Sequence, residues 1–166
     1  MLDLCAGCPS TASQRPAYVS LGSERLKEVC FQEIVQLQTA AQKKGLKLKV
    51  RRQDQPRYAH IDVYGLNRLM HNLVGNTIKF TAEGSVEIWL EVKPDSIDMH
   101  VSDTGIGIDA EFLPKLFNAF IQESDGLSRS HEGTGLGLAI TSGIVGLMDT
   151  SIRVESTKGK GSHFIV

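Results

Sequence analysis

Two glycine loops limit what this chain can fold into more than any other feature. "VSDTGIGI", residues 101–108, runs from β-forming residues into an aspartate and two glycines one residue apart. "EGTGLGLAI", residues 132–140, brings three more alternating glycines about thirty residues later. An aspartate at a strand end offers acceptor-only oxygens, the partner that an exocyclic amine such as adenine N6 requires. Gly105 and Gly107 remove side chains where a flat base or ribose has to approach the backbone. Gly133, Gly135 and Gly137 stand at a helix start, where unpaired N–H groups and the positive end of the dipole suit phosphate. Either loop alone reads equally well as a pair of turn glycines. Together, in this order, they make a nucleotide pocket.

The two commonest nucleotide fingerprints are missing. The 166 residues contain no G-x-x-x-x-G-K-[ST], and no G-x-G-x-x-G follows a strand pattern. The length suits one domain with a sizeable core. A net charge of −1 gives no electrostatic reason to expect nucleic acid or an anionic membrane surface. No apolar run is long enough to span a bilayer and no leader pattern opens the chain, so the expectation is a cytoplasmic domain. Cys5 and Cys8 form a lone C-x-x-C without the second ligand pair that structural zinc needs.

Residues 9–16, "PSTASQRP", read as a linker. A first helix is expected from Ser23, with Leu26, Val29, Cys30, Glu33, Ile34 and Leu37 at helical spacing and Gly45 as its stop. "LKLKV" alternates like an edge strand. A second helix starts at Asp62, and "SVEIWLEV" and "IDMHVSD" form a hairpin about "KPDS". "DAEFLPKLFNAF" reads as a short helix capped by Asp109, residues 121–133 as a mobile loop, and "GTGLGLAITSGIVGLM" as the opening of a fourth helix. "SIRVES" and "SHFIV" close the chain as strands about "TKGKG". The expected fold class is α/β: a two-layer sandwich, a mixed sheet of about five strands covered on one face by three to four helices.

On the second helix, Asn72, Asn76 and Lys79 lie at i, i+4 and i+7, in a stripe about 60° wide bordering the apolar face. Amide oxygens are hard ligands for Mg²⁺, and an ammonium suits a phosphate. The alternative is a solvated face with an incidental lysine, but asparagine is a poor helix-interior residue and two of them one turn apart need a reason.

These segments carry a resemblance. "HNLVGNTIKFT", "VSDTGIGI", "LPKLFNAFIQ", "GTGLGLAI" and "GKGSHF" resemble, in order and spacing across residues 17–166, five sequence boxes of the catalytic ATP-binding domain of sensor histidine kinases. That domain has the Bergerat-type fold shared with type II topoisomerases and mismatch-repair ATPases. The resemblance implies ATP and Mg²⁺ as cofactors, with Asn76 binding the metal and Asn72 assisting or positioning. It implies that Lys79 contacts a terminal phosphate and that Asp103 reads adenine N6, with Gly105 and Gly107 against the base and Ser162 nearby. Residues 118–133 would be the ATP lid, hinged near Phe117 and Phe120, with Gln122 and Arg129 as lid contacts. Gly133, Thr134, Gly135, Leu136 and Gly137 would present backbone donors to the phosphates.

The resemblance also implies partners: a dimerisation and phosphoacceptor domain of the same protein, and a response-regulator receiver domain downstream. It implies a homodimeric full-length protein, which a sensor segment can anchor in a membrane, and a monomeric isolated domain. Residues 1–16 would be the remnant of the dimerisation helix and its linker. Leu116, Phe117 and Phe120 would offer an apolar docking patch. Three departures stand out. Glu132 replaces a glycine common before T-G-L-G-L, "LMDTS" replaces a common glycine turn, and none of the five histidines has the setting of a phosphoacceptor. No catalytic residue is therefore assigned in this chain, and autophosphorylation of it alone is not expected. Two other readings stay open: a nucleotide-sensing or partner-binding module without turnover, and a stand-alone serine kinase of the same superfamily.

Overall fold

The computed structural model describes residues 18–51, 58–121 and 135–166; for 18–27, 29–33 and 58–60 it describes the backbone alone. In chain order the elements are β1 (Tyr18–Gly22), α1 (Ser23–Lys43), β2 (Lys47–Arg51), β3 (Tyr58–Asp62), α2 (Val63–Phe80), β4 (Ser85–Val92), β5 (Ile97–Asp103), a 3₁₀ turn (Leu113–Lys115), α3 (Gly137–Leu147), β6 (Arg153–Thr157) and β7 (Gly161–Ile165). The main sheet has the order β2-β4-β5-β7-β6, with β2 parallel to β4 and the other neighbours antiparallel. It is the expected mixed sheet of five strands, with "LKLKV" at its edge.

Helix α2 forms because its sequence satisfies both ends and one face. The Asp62 side chain accepts from the Tyr64 N–H at 3.1 Å, an N-cap. Leu66, Leu69, Met70, Leu73, Val74, Thr77 and Ile78 recur at helical spacing and are all buried. At the C-terminus the Lys44 ammonium donates to the carbonyls of Ile78 at 2.9 Å and Lys79 at 2.8 Å, supplying cationic partners to orphan acceptors. Beneath α2 lie Val86, Ile88, Met99, Val101 and Phe164, one face of β4, β5 and β7. Ile34, Leu37 and Ala41 of α1 and Val145 of α3 complete the core.

Helices α1 and α3 end alike. Leu46 N–H bonds Ala41 O and Gly45 N–H bonds Gln42 O; Thr150 N–H bonds Val145 O and Asp149 N–H bonds Gly146 O. Both patterns are Schellman motifs. The left-handed residue is Gly45 (φ +71°) in the first and Asp149 (φ +52°) in the second. The "LMDTS" departure thus keeps the glycine geometry without the glycine.

Three expectations are corrected. "DAEFLPKLFNAF" is not an α-helix: only Leu113–Lys115 form a 3₁₀ turn, amid i→i−3 bonds from Lys115, Leu116 and Asn118. Pro114 has no N–H to give to Ala110, which breaks the α ladder. Asp109 still acts locally, accepting from Glu111 N–H at 3.0 Å. Strands β1 and β3, an antiparallel pair of their own, were not anticipated. And α3 is the third α-helix among the described residues, not a fourth. The linker, the C-x-x-C pair and most of the expected loop at 121–133 lie outside the described residues. No described helix is long and apolar enough to cross a membrane.

Candidate functional site

Helix α2 is the spine of the site. Its middle faces the start of α3, and its C-terminus faces the loop after β5. The Asn72 amide donates from Nδ2 to Gly137 O at 3.2 Å, and the Thr141 hydroxyl donates to the same carbonyl at 3.0 Å. One turn on, Asn76 Nδ2 stands 3.7 Å from where a Cβ at Gly137 would be. Half-buried Asn76 has no hydrogen-bond partner among the described residues. The structure therefore brings Asn72, Asn76, Leu136 and Gly137 together. Leu136, the N-cap of α3, makes no side-chain cap bond, so no side chain of its own satisfies that end of the helix.

At the other end of α2, Phe80 O accepts from Ile106 N–H at 3.2 Å. Gly105 lies so close that a Cβ there would stand 2.5 Å from Phe80 O and 2.9 Å from Thr81 Oγ1. Gly107 (φ +63°) presses likewise on Thr157 O in the β6–β7 turn. These glycines thus have a reason that sequence reading missed: the protein's own backbone fills the space that side chains would take.

Asp103 ends β5 on the core face and is 8% exposed. Its Oδ1 accepts from Gly105 N–H at 2.8 Å and Ser162 N–H at 3.2 Å. Both bonds fall on one oxygen, which leaves Oδ2 to accept from a ligand. Burial raises the pKa of the Asp103 carboxyl from its ordinary value, and the two backbone N–H bonds oppose the shift. Ser162 is buried, and its hydroxyl lies 3.0 Å from that of Ser156. Ser156, unsuspected from sequence, donates to Gly161 O and accepts from Ile108 N–H, both at 2.8 Å. It ties the loop after Asp103 to the β6–β7 turn. A serine in an alternating strand carried no signal for this.

Lys79 belongs to the same helix face, with its Nζ 4.9 Å from the centre of the Phe80 ring. Phe120 N–H bonds Gly135 O at 3.2 Å, joining the two ends that flank residues 122–134. Phe120 is left-handed (φ +64°), a conformation that costs a residue with a Cβ about 1 kcal/mol. Phe120 is 77% exposed, whereas Leu116 is buried, so Leu116 drops out of the expected docking patch. Gln122, Arg129, Gly133 and Thr134 lie outside the described residues.

A carboxylate with one oxygen held and one available, two amides of which one has no partner among the described residues, and a helix start that its own N-cap residue does not cap fit a nucleotide and a hard divalent ion. Comparisons with known proteins support the nucleotide part of this fit. The sensor histidine kinase RcsC of Escherichia coli K12 is 40% identical over 105 residues, 63% of this chain and 11% of that protein. The signal transduction histidine-protein kinase BarA of the same strain is 37% identical over 145 residues, 84% of this chain and 16% of BarA. The chain thus spans a small fraction of these relatives. The catalytic domain of the histidine kinase ThkA superposes with a TM-score of 0.71 at 24% identity, over 89% of this chain and 94% of that one. Full-length ShkA, solved with AMPPNP, gives 0.77 at 24%, over 90% of this chain and 30% of ShkA. These two likenesses establish the fold. Residues 61–166 match the family model described as histidine kinase-, DNA gyrase B- and HSP90-like ATPase, and the chain belongs to that family.

Proposed function

We propose that this chain is the catalytic ATP-binding domain of a sensor histidine kinase. It would transfer the γ-phosphoryl group of Mg-ATP to a histidine on a dimerisation domain of the same protein, from which a receiver domain would be phosphorylated. The observation that carries the reading is Asp103, a buried carboxylate whose Oδ1 is held by Gly105 and Ser162. A group kept at that desolvation cost without an ion partner among the described residues needs a ligand donor to repay it.

Asp103 Oδ2 accepts from the adenine amine in this reading, and the loop 103–107 sets the depth of the base. Asn76 offers its amide oxygen to Mg²⁺, and Asn72 acts as a positioning residue by fixing Gly137. Lys79 and the backbone N–H groups from Gly133 to Gly137 carry the phosphates, with Gln122 and Arg129 as further contacts. Bound Mg²⁺ would neutralise phosphate charge. Phosphoryl transfer asks little covalent chemistry of the protein, so holding the γ-phosphate in line with an incoming imidazole is the main task. Among the histidines, His100 and His163 stand on the sheet face opposite Asp103, and His71 is exposed on α2.

The test uses γ-labelled ATP. The chain alone should stay unlabelled, and a fragment with the phosphoacceptor helix pair of the same protein should gain acid-labile label when this chain is added. Acid-stable label on serine, or no label despite bound nucleotide, contradicts the reading.

A further inference from the structure

The face of the main sheet opposite α2 carries a cluster that the nucleotide reading does not use. Glu91 of β4 stands directly across from Asp98 of β5, and His100 lies two residues along on the same face. One donor atom from each falls within 4.8 Å of the others. His100 is 7% exposed; its Nε2 is 3.3 Å from Glu91 Oε2 and its Nδ1 is 3.0 Å from His163 Nε2. His163 Nδ1 is in turn 3.7 Å from Glu155 Oε2. The Lys93 ammonium reaches Asp98 at 2.6 Å and Glu91 at 3.6 Å, and Arg153 lies 3.7 Å from Asp98.

We propose that Glu91, Asp98 and His100 form a binding site for a zinc-class divalent cation, which enters by displacing the Lys93 ammonium. The first support is metric. Ligand bonds of about 2.0–2.1 Å in a tetrahedral site put neighbouring donors about 3.4 Å apart. The His100–Glu91 separation of 3.3 Å already matches one edge of that tetrahedron. The mixed imidazole and carboxylate donor set suits zinc and its neighbours more than Mg²⁺ or Ca²⁺.

The second support is the row of partners behind His100, which runs from Glu91 through His100 and His163 to Glu155. Without an ion, two neutral imidazoles bring two N–H protons, which serve the two hydrogen-bond contacts, His100 Nε2–H to Glu91 and His163 Nε2–H to His100 Nδ1. A cation on His100 Nε2 replaces the first of these bonds and reverses the second. Nδ1–H then donates to His163 Nε2, and His163 Nδ1–H points at Glu155. A ligating histidine oriented through its other nitrogen by a partner that is itself oriented is the arrangement metal sites use.

Lys93 is 40% exposed on its side chain, so it can swing into water when a divalent ion takes its place between the carboxylates. The fourth position stays open to solvent. Glu91, Asp98 and His100 bridge two adjacent strands, so the ion would clamp the far end of the β4–β5 hairpin, on the sheet face away from Asp103.

Trp89, the one tryptophan in the sequence, stacks on His100 at 4.6 Å between ring centres. Its emission therefore reports the site. The experiment titrates Zn²⁺, without nucleotide or Mg²⁺, into the full chain lacking a histidine tag and carrying Cys5→Ser and Cys8→Ser. A saturable change with one equivalent bound is expected. Asp98→Asn should weaken it at least tenfold while leaving the fold's circular dichroism unchanged, and Lys93→Ala should tighten it severalfold. No response up to about 1 mM, the weak end of specific affinity, overturns the proposal. So does a response that Asp98→Asn leaves intact or that Lys93→Ala fails to strengthen. Nucleotide binding enters none of these readouts, so this test and that of the kinase reading fail separately.

Discussion

The Ser162 N–H donates to Asp103 Oδ1 at 3.2 Å across 59 residues of sequence. This bond and the 2.8 Å bond from Gly105 hold a carboxylate that burial disfavours. The raised pKa fixes the sign of the pH dependence. A group whose folded pKa lies above its unfolded value contributes stability at low pH and loses it as pH rises through the folded pKa. Asp103→Asn keeps an oxygen for both N–H groups and removes the charge. Without nucleotide, the variant should melt at or above the wild-type temperature at neutral pH. The gap should shrink as pH falls through the carboxylate range. Thermal unfolding at several pH values checks this; a variant less stable at pH 7 than at pH 4, relative to wild type, contradicts it.

The glycines separate into two kinds. A Cβ at Gly161 (φ +103°) would lie 2.0 Å from Asp103 O, whereas a Cβ at Gly75, inside α2, meets nothing within 4 Å. Gly161→Ala should cost more than about 2 kcal/mol and disturb Asp103. Gly75→Ala should gain about 0.5–1 kcal/mol, the helix-propensity difference. Urea denaturation of the two variants measures both, and the opposite order would show that the loop around Asp103 is not tightly packed.

Much of this was legible in the sequence. The spacing of Leu66, Leu69 and Leu73 announces a buried helix face, Asp62 announces its cap, and Asp103 followed by Gly105 marks a strand giving way to a tight loop. What stayed hidden depended on partners distant in sequence. Nothing near Lys44 tells that it caps a helix ending at residue 80, and nothing near Ser156 tells that it joins two loops. The 109–120 segment misled because its apolar spacing is helical while Pro114 removes the N–H that the spacing presupposes. Strands β1 and β3 each run straight into a helix, and the helix-start signals at Ser23 and Asp62 masked them. Asp149 looked like a lost glycine turn; the backbone kept the turn.

That last substitution is testable. Asp149 pays for a left-handed conformation and sets a carboxylate against the negative end of α3. Asp149→Gly should stabilise the chain by about 0.5–1 kcal/mol, with Asp149→Asn intermediate. A chemical denaturation midpoint that falls in the glycine variant would argue against the Schellman assignment.

The two asparagines of α2 should behave differently. Asn72→Ala removes the bond to Gly137 O and should cost about 1 kcal/mol of stability besides weakening nucleotide binding. Asn76→Ala removes a side chain without a described partner, so the melting temperature should hold while Mg²⁺-dependent binding falls. If Asn76→Ala is the less stable of the pair, its role is structural.

The most direct measurement is calorimetry of the intact chain with a non-hydrolysable ATP analogue and Mg²⁺, beside the guanine analogue and Asp103→Asn. The account predicts saturable binding of the adenine compound, micromolar or weaker as suits one small ligand on an open site. It predicts a much weaker response to guanine, whose amino group lies elsewhere on the ring, and a loss of adenine binding of about tenfold or more in Asp103→Asn. Equal binding of both bases, or an Asp103→Asn variant that binds the adenine analogue as wild type does, would contradict the assignment of Asp103 and the nucleotide pocket built on it.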